Sequence, residues 1–143
     1  MESKKRKFIE KQKDFYKSIV SVVCPILQET VYFTSEGFNH LLYETYTRPR
    51  KWAERYMKLK CLVHAPKVIK NCSFVSETRS LERKIKGKLK QVIQSELVHE
   101  ISKNIKIRVV VEKIGSGKTK FRSIMPHNNK SKPRPKKRPK RRF

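Results

Sequence analysis

Acidic residues are scarce in this chain. Twelve Asp and Glu stand against 37 Lys and Arg, a net charge of +25 over 143 residues, far more than solubility requires. Self-repulsion at that charge destabilises a compact state unless a polyanion neutralises it, so a nucleic acid is the first partner to expect. Long apolar runs are missing too. Nothing approaches the roughly 20 apolar residues of a spanning helix, and no membrane partner is expected. Cysteine is sparse, with Cys24, Cys61 and Cys72 odd in number and without paired spacing. No disulfide framework follows, which favours a reducing compartment and a cytoplasmic location. Lys4-Lys5-Arg6-Lys7 ahead of Ser18 to Leu27 only faintly imitates a secretory leader, because charged residues separate the two parts and Pro25 interrupts the apolar one.

What the chain does have is concentrated in Asn104 to Pro126, two alternating runs joined by Gly115-Ser116-Gly117. This is a β-hairpin pattern. Ile105, Ile107, Val109 and Val111 share one face of the first run. A three-residue turn then sets Val111 opposite Phe121, Val109 opposite Ser123, Ile107 opposite Met125 and Glu112 opposite Lys120. Gly115 to Thr119 superficially suggests a phosphate-binding loop. That motif needs Gly where Glu112 stands and a helix after it, whereas a strand pattern follows, so it is excluded.

The earlier part reads mostly as helix. Phe8, Phe15, Ile19, Val22, Val23 and Ile26 recur at three- and four-residue steps, predicting a helix from about Lys5 to Cys24, ended by Pro25. Val31-Tyr32-Phe33 is a short extended piece. Ser35 is the expected N-cap of a second helix with Phe38, Leu41 and Leu42 on its apolar stripe and His40 opposite, where Glu44 would favour the charged imidazole. Thr47 and Pro49 open a third helix that buries Trp52, Tyr56, Leu59 and Val63 and turns Arg50, Lys51, Arg55 and Lys58 outward. Pro66 opens a short turn closed by Asn71.

From Ser73 the period becomes strand-like. Ser73 to Ser80 is a first strand, Leu81 to Lys90 a charged connection and Gln91 to Ile101 a second strand. With Ser102 to Asn104 as the turn, Ile101 opposes Ile105, His99 opposes Ile107, Leu97 opposes Val109 and Glu100 opposes Lys106. The expected fold class is α+β, about three N-terminal helices followed by a four-stranded antiparallel meander. After Pro126 comes a Lys/Arg/Pro-rich tail with nine basic residues and no acids. It cannot bury a core and acts as an electrostatic arm.

Among chemical constellations, Cys61, His64 and Cys72 lack a fourth metal ligand, and no metal or cofactor is expected. Glu96, Glu100 and Glu112 each have a cationic neighbour on the polar sheet face, which argues against paired-carboxylate chemistry. Histidine beside cations remains, the set that metal-free RNA cleavage needs. A 2′-hydroxyl must lose a proton, a 5′-oxygen must gain one and the phosphorane charge must be neutralised.

The succession VYFTSEGFNHLLYETYTRPRKW (Val31 to Trp52), KCLVHAPKVIKN (Lys60 to Asn71) and KIRVVVEKIGSGKTKFRSIMP (Lys106 to Pro126) resembles phage and mobile-element proteins of the barnase/EndoU/colicin/RelE-like nuclease superfamily. The likeness covers most of residues 30 to 127. It implies helices before a four-stranded antiparallel sheet and a metal-independent RNase, often a toxin. By resemblance the helix histidine is His40, the basic residue after the proline is Arg50 and the serine of the last strand is Ser123. Arg122 stands where relatives often carry an aromatic, a departure that implies either a more phosphate-directed surface or a divergent, even inactive, member.

The expected organisation is residues 1–29 as an amphipathic helix, 30–127 as the nuclease-like domain and 128–143 as a disordered tail. The expected mechanism is transesterification with His40 as base or acid, Arg50 and Lys51 on the scissile phosphate and Ser123 orienting it. Arg108, Lys120, Arg122, Arg134, Lys136, Lys137 and Arg138 would track the nucleic-acid backbone. Expected partners are RNA before DNA, with the ribosome and an inhibitor or antitoxin protein as further classes. The alternative from another class is a non-catalytic RNA- or DNA-binding protein, such as a ribosome-associated or packaging factor. Which sheet face stays open decides between His99 with Ser123 and the arginines as the working surface.

Overall fold

The computed structural model describes residues 2–45 and 47–127. Its elements in order are α1 (Glu2–Ile19), β1 (Ser21–Cys24), β2 (Glu29–Tyr32), α2 (Ser35–Leu42), α3 (Trp52–Cys61), α4 (Ala65–Lys70), β3 (Phe74–Ile85), β4 (Lys88–Ser102), β5 (Ile105–Ile114) and β6 (Thr119–Pro126). The α+β class holds. The sheet, however, has six strands in the order β1-β2-β6-β5-β4-β3 and is mixed, because β2 runs parallel to β6. The four-stranded antiparallel meander is therefore corrected. Arg134, Lys136, Lys137 and Arg138 lie outside the described residues.

The extra strand comes from the segment read as helix. Val20 adopts φ +62, a left-handed conformation that no regular helix continues through. Val22 and Val23 then sit in β1, opposite Val31 and Thr30 of β2. Residues 1–29 thus hold a helix and a strand. Tyr16 of α1 is buried in the common core, where its hydroxyl donates to the Thr34 carbonyl.

The charged segment before Gln91 is also strand. Leu81 to Ile85 pair with Val92 to Lys88, so β3 and β4 form a long hairpin turned at Lys86-Gly87. In β4 and β5, Leu97 opposes Val109, His99 opposes Ile107 and Glu100 opposes Lys106 as expected, but an irregularity pairs Ile105 with Ser102 instead of Ile101. Glu100 accepts the Asn104 backbone N–H.

The last hairpin contains the correction that matters most. Val111 opposes Phe121 and Glu112 opposes Lys120, but a bulge follows, and Val110 pairs with Ser123, Val109 with Ile124 and Ile107 with Pro126. Arg122 is the extra residue. A bulge inserts one position and re-aims the side chains beyond it. Ser123 consequently leaves the Val109 face and joins Arg108, Val110 and Glu112.

The Val109 face is the covered one. Leu97, Ile107, Val109, Val111, Phe121 and Ile124 pack with Phe38, Leu41, Leu59, Leu62, Val68 and Ile69 from the helices. Burial of such side chains contributes about 1.5–3 kcal/mol each. Of the four expected residues only Leu59 is buried, whereas Tyr56 of α3 and Val63 just past its end are exposed and Lys58, expected outside, is 4% exposed. Trp52 is half-buried at the start of α3, with its ring against Phe8 and Tyr56.

Candidate functional site

The second sheet face is polar, and one cluster of its charges is ordered around Glu112. By alternation Gln94 of β4 and Glu112 of β5 are direct neighbours, and Arg83 reaches them from β3. The Arg83 guanidinium donates to both Glu112 oxygens, at 3.1 and 2.9 Å. Gln94 Nε2 donates to Oε1 at 2.8 Å. Arg122 Nη1, carried by the bulge, lies 3.2 Å from the same oxygen. Burial alone would raise the Glu112 carboxyl, but the hydrogen bonds from Arg83 and Gln94 and the two guanidinium charges overcome it and hold the pKa below the ordinary carboxylate value. Glu112 thereby fixes two arginines side by side.

α2 supplies the histidine. Gly37 is required here because α2 lies directly on β6: a Cβ would come 2.6 Å from the Phe121 carbonyl oxygen and 2.5 Å from the Tyr16 hydroxyl. That close approach brings His40 to the bulge, with Nε2 3.2 Å from Arg122 Nη1. An arginine always donates, so Nε2 accepts and the proton of the neutral ring sits on Nδ1. Burial and then the Arg122 charge push the His40 pKa below its usual value. The expected Glu44 partner is absent from this interaction. Helix α2 ends at Leu42, and Glu44 faces Arg48 at 3.6 Å.

Two further arginines close the C-terminus of α2. Arg50 Nε donates to the His40 carbonyl at 2.9 Å and Arg55 Nε to the Leu42 carbonyl at 3.0 Å, satisfying carbonyls that a helix end leaves open. Arg50 also pairs with Glu54 at 2.9 Å. Its guanidinium is thus anchored on the His40 carbonyl and Glu54. Lys51 is the exposed residue preceding α3.

The front of His40 opens onto a cleft of about 440 Å³, lined by Glu36, Asn39, His40, Tyr43, Glu44, Thr45, Arg83 and Arg122. Glu36, Asn39 and His40 are spaced i, i+3 and i+4, so they share one face of α2. No protein-family model, curated protein or solved structure matches this chain. What the cleft can do follows from its geometry. Two guanidiniums held by a carboxylate and a neutral imidazole at their edge make a place for a phosphate with a proton acceptor beside it.

The remaining expected residues fall around this centre. Ser123 Oγ accepts from Lys58 Nζ at 3.1 Å. The Lys58 pKa is lowered by burial and by the Arg50 charge. Arg108 is tied to Glu96 at 3.5 Å and to the Met125 sulfur. Lys120 is half-buried opposite Glu112. His99 is outside the site, on the covered-face register, with Nδ1 3.1 Å from Ser73 Oγ. Among the described residues no three His, Cys, Asp or Glu side chains converge on a metal position, and no helix is long and apolar enough to cross a membrane.

The sequence pattern assigns no site role to Arg83, Gln94, Lys58, Glu112 or Glu36. Arg83 sits in the stretch read as a connection, and Lys58 in the stripe read as solvent-facing. Glu112 falls opposite Lys120 in that pattern. Glu36 carries the one accessible signal, its position one turn before His40.

Proposed function

We propose that this protein is an endoribonuclease that cleaves RNA by 2′-hydroxyl transesterification without a metal. The observation that carries the reading is the placement of His40 Nε2 3.2 Å from Arg122 Nη1, at the wall of a cleft that Arg83 also lines. A phosphate entering the cleft draws the Arg122 guanidinium to its oxygens and releases the imidazole lone pair. His40 then takes the proton of the 2′-hydroxyl as that oxygen attacks the phosphorus. The imidazolium returns the proton to the departing 5′-oxygen, leaving a 2′,3′-cyclic phosphate and a 5′-hydroxyl. Arg83 and Arg122 neutralise the phosphorane, a role in which preorganised cations contribute most of the barrier reduction. Ser123, supplied with a donor by Lys58, orients the phosphate. Arg50 acts as a positioning residue through the His40 carbonyl.

The net charge of +25 supports RNA as substrate, and a toxin or effector role in the cytoplasm, with a protein inhibitor, fits such an activity. The test is end-labelled RNA incubated with the protein in EDTA and resolved for a cyclic-phosphate product. A second reading, a non-catalytic RNA- or DNA-binding protein, draws support from Arg122 itself, whose Nη1 engages both His40 and Glu112. It predicts salt-sensitive binding with no cleavage in the same experiment.

A further inference from the structure

β5 ends at Ile114, opposite Val92. Beyond that point Glu82, Arg83, Lys84 and Ile85 pair only with Gln91, Lys90, Leu89 and Lys88. The result is a two-stranded ribbon projecting past the sheet. Its tip, Lys86-Gly87, has φ of +52° and +80°, matching the two-residue turn that closes tight hairpins.

Among the described residues only Arg83 of this ribbon is paired with an acid, Glu112 of β5. Lys84, Lys86, Lys88 and Lys90 are all exposed, and Leu89 is 66% exposed. An isolated two-stranded hairpin is marginal in water. Arg83 and Lys90 moreover stand directly opposite each other, a like-charge pair that destabilises a ladder. With Arg83 held by Glu112, Lys84, Lys86, Lys88 and Lys90 stand against Glu82 alone, a surplus that an external anion relieves.

The ribbon is also continuous with the cleft. Arg83, Lys88 and Lys90 share a face by alternation, and Arg83 lines the cleft itself. From Gln94, beside Glu112, to Lys88 is six residues of strand, about 20 Å at ~3.3 Å per residue. At a stacked spacing of about 3.4 Å that distance is roughly six nucleotides.

We propose that the β3–β4 ribbon is a nucleic-acid arm that grips the phosphates of a single RNA strand several nucleotides away from the bond at His40. This rests on the reading of the cleft as an RNA site. It predicts that long substrates are held by an element that short ones never reach.

The experiment compares the full chain with the variant Lys84→Gln/Lys86→Gln/Lys88→Gln/Lys90→Gln. Binding of a 15-nucleotide 2′-O-methyl RNA, which cannot cyclise, is followed by anisotropy across a salt series, and cleavage of a dinucleotide is measured beside it. The expected result is a log-affinity against log-salt slope shallower by about 2 to 3, at about 0.7 per lost phosphate contact, with dinucleotide cleavage unchanged. An unchanged slope overturns the proposal. So does an equal loss on both substrates, or tighter binding of duplex DNA than of the RNA by the unmodified chain. If nothing is cleaved at all, the cleft reading fails while the salt slope still decides the arm.

Discussion

Arg122 Nη1 stands 3.2 Å from His40 Nε2 and 3.2 Å from Glu112 Oε1, so one guanidinium links the imidazole to the carboxylate. With Phe121 opposite Val111, alternation puts Arg122 on the Glu112 side of β6, and the bulge brings Ser123 to the same side.

The histidine gives the first prediction. Its folded pKa lies below the reference of 6.5, so below that pH the unfolded chain binds a proton that the folded one resists. Stability rises with pH through this window, and its cost is absent above about pH 6.5. Melting temperatures should fall as pH drops from 7 to 5 in the native chain, and less steeply in His40→Gln. Parallel slopes in the two proteins would contradict the assignment.

Glu112 acts in a lower window. With its folded pKa below the reference of 4.5, its stabilisation is present above that pH and is lost as pH falls through the folded value. Glu112→Gln removes the anion between two guanidiniums. Because Arg83 and Arg122 keep about a third of their exposure, the expected cost is about 1–3 kcal/mol, read by urea unfolding at pH 7.

Lys58 and Ser123 separate packing from charge. Ser123→Ala deprives a buried ammonium of its hydroxyl acceptor, and should cost about 1–3 kcal/mol. Lys58→Met removes the ammonium altogether, and should change stability by no more than about 1 kcal/mol. The double variant should resemble Lys58→Met, which a double-mutant cycle checks.

Gly37→Ala tests how α2 is held. With backbone oxygen 2.6 Å from the new methyl, the helix must shift, at about 1–3 kcal/mol. The shift should also weaken the His40–Arg122 contact, so activity should fall in a protein that still folds by circular dichroism. Unchanged melting and activity would mean that α2 does not lie this close to β6.

How much of this was legible follows particular residues. The last hairpin was, because Ile107 to Val111 alternate and Gly115-Ser116-Gly117 supplies the turn, and the helix carrying His40 was equally readable. The bulge was hidden because Phe121, Ser123 and Met125 keep a perfect period of two, which the chain interrupts at Arg122. β1 was hidden because Val22 and Val23 also fit a helical step, and only the backbone at Val20 redirects them. Arg83 was hidden because Lys-rich exposed strands carry no apolar alternation. Glu112 falls beside Lys120 in the pattern, but its partners Arg83, Gln94 and Arg122 come from three different strands, which no local pattern records.

The most direct measurement is RNA cleavage in EDTA, with product ends identified, for the native chain and His40→Ala. The account predicts 2′,3′-cyclic phosphate ends from the native protein and a rate lower by about 10²–10⁴ in the variant. Intact RNA, a requirement for added metal, or full activity in His40→Ala would contradict it.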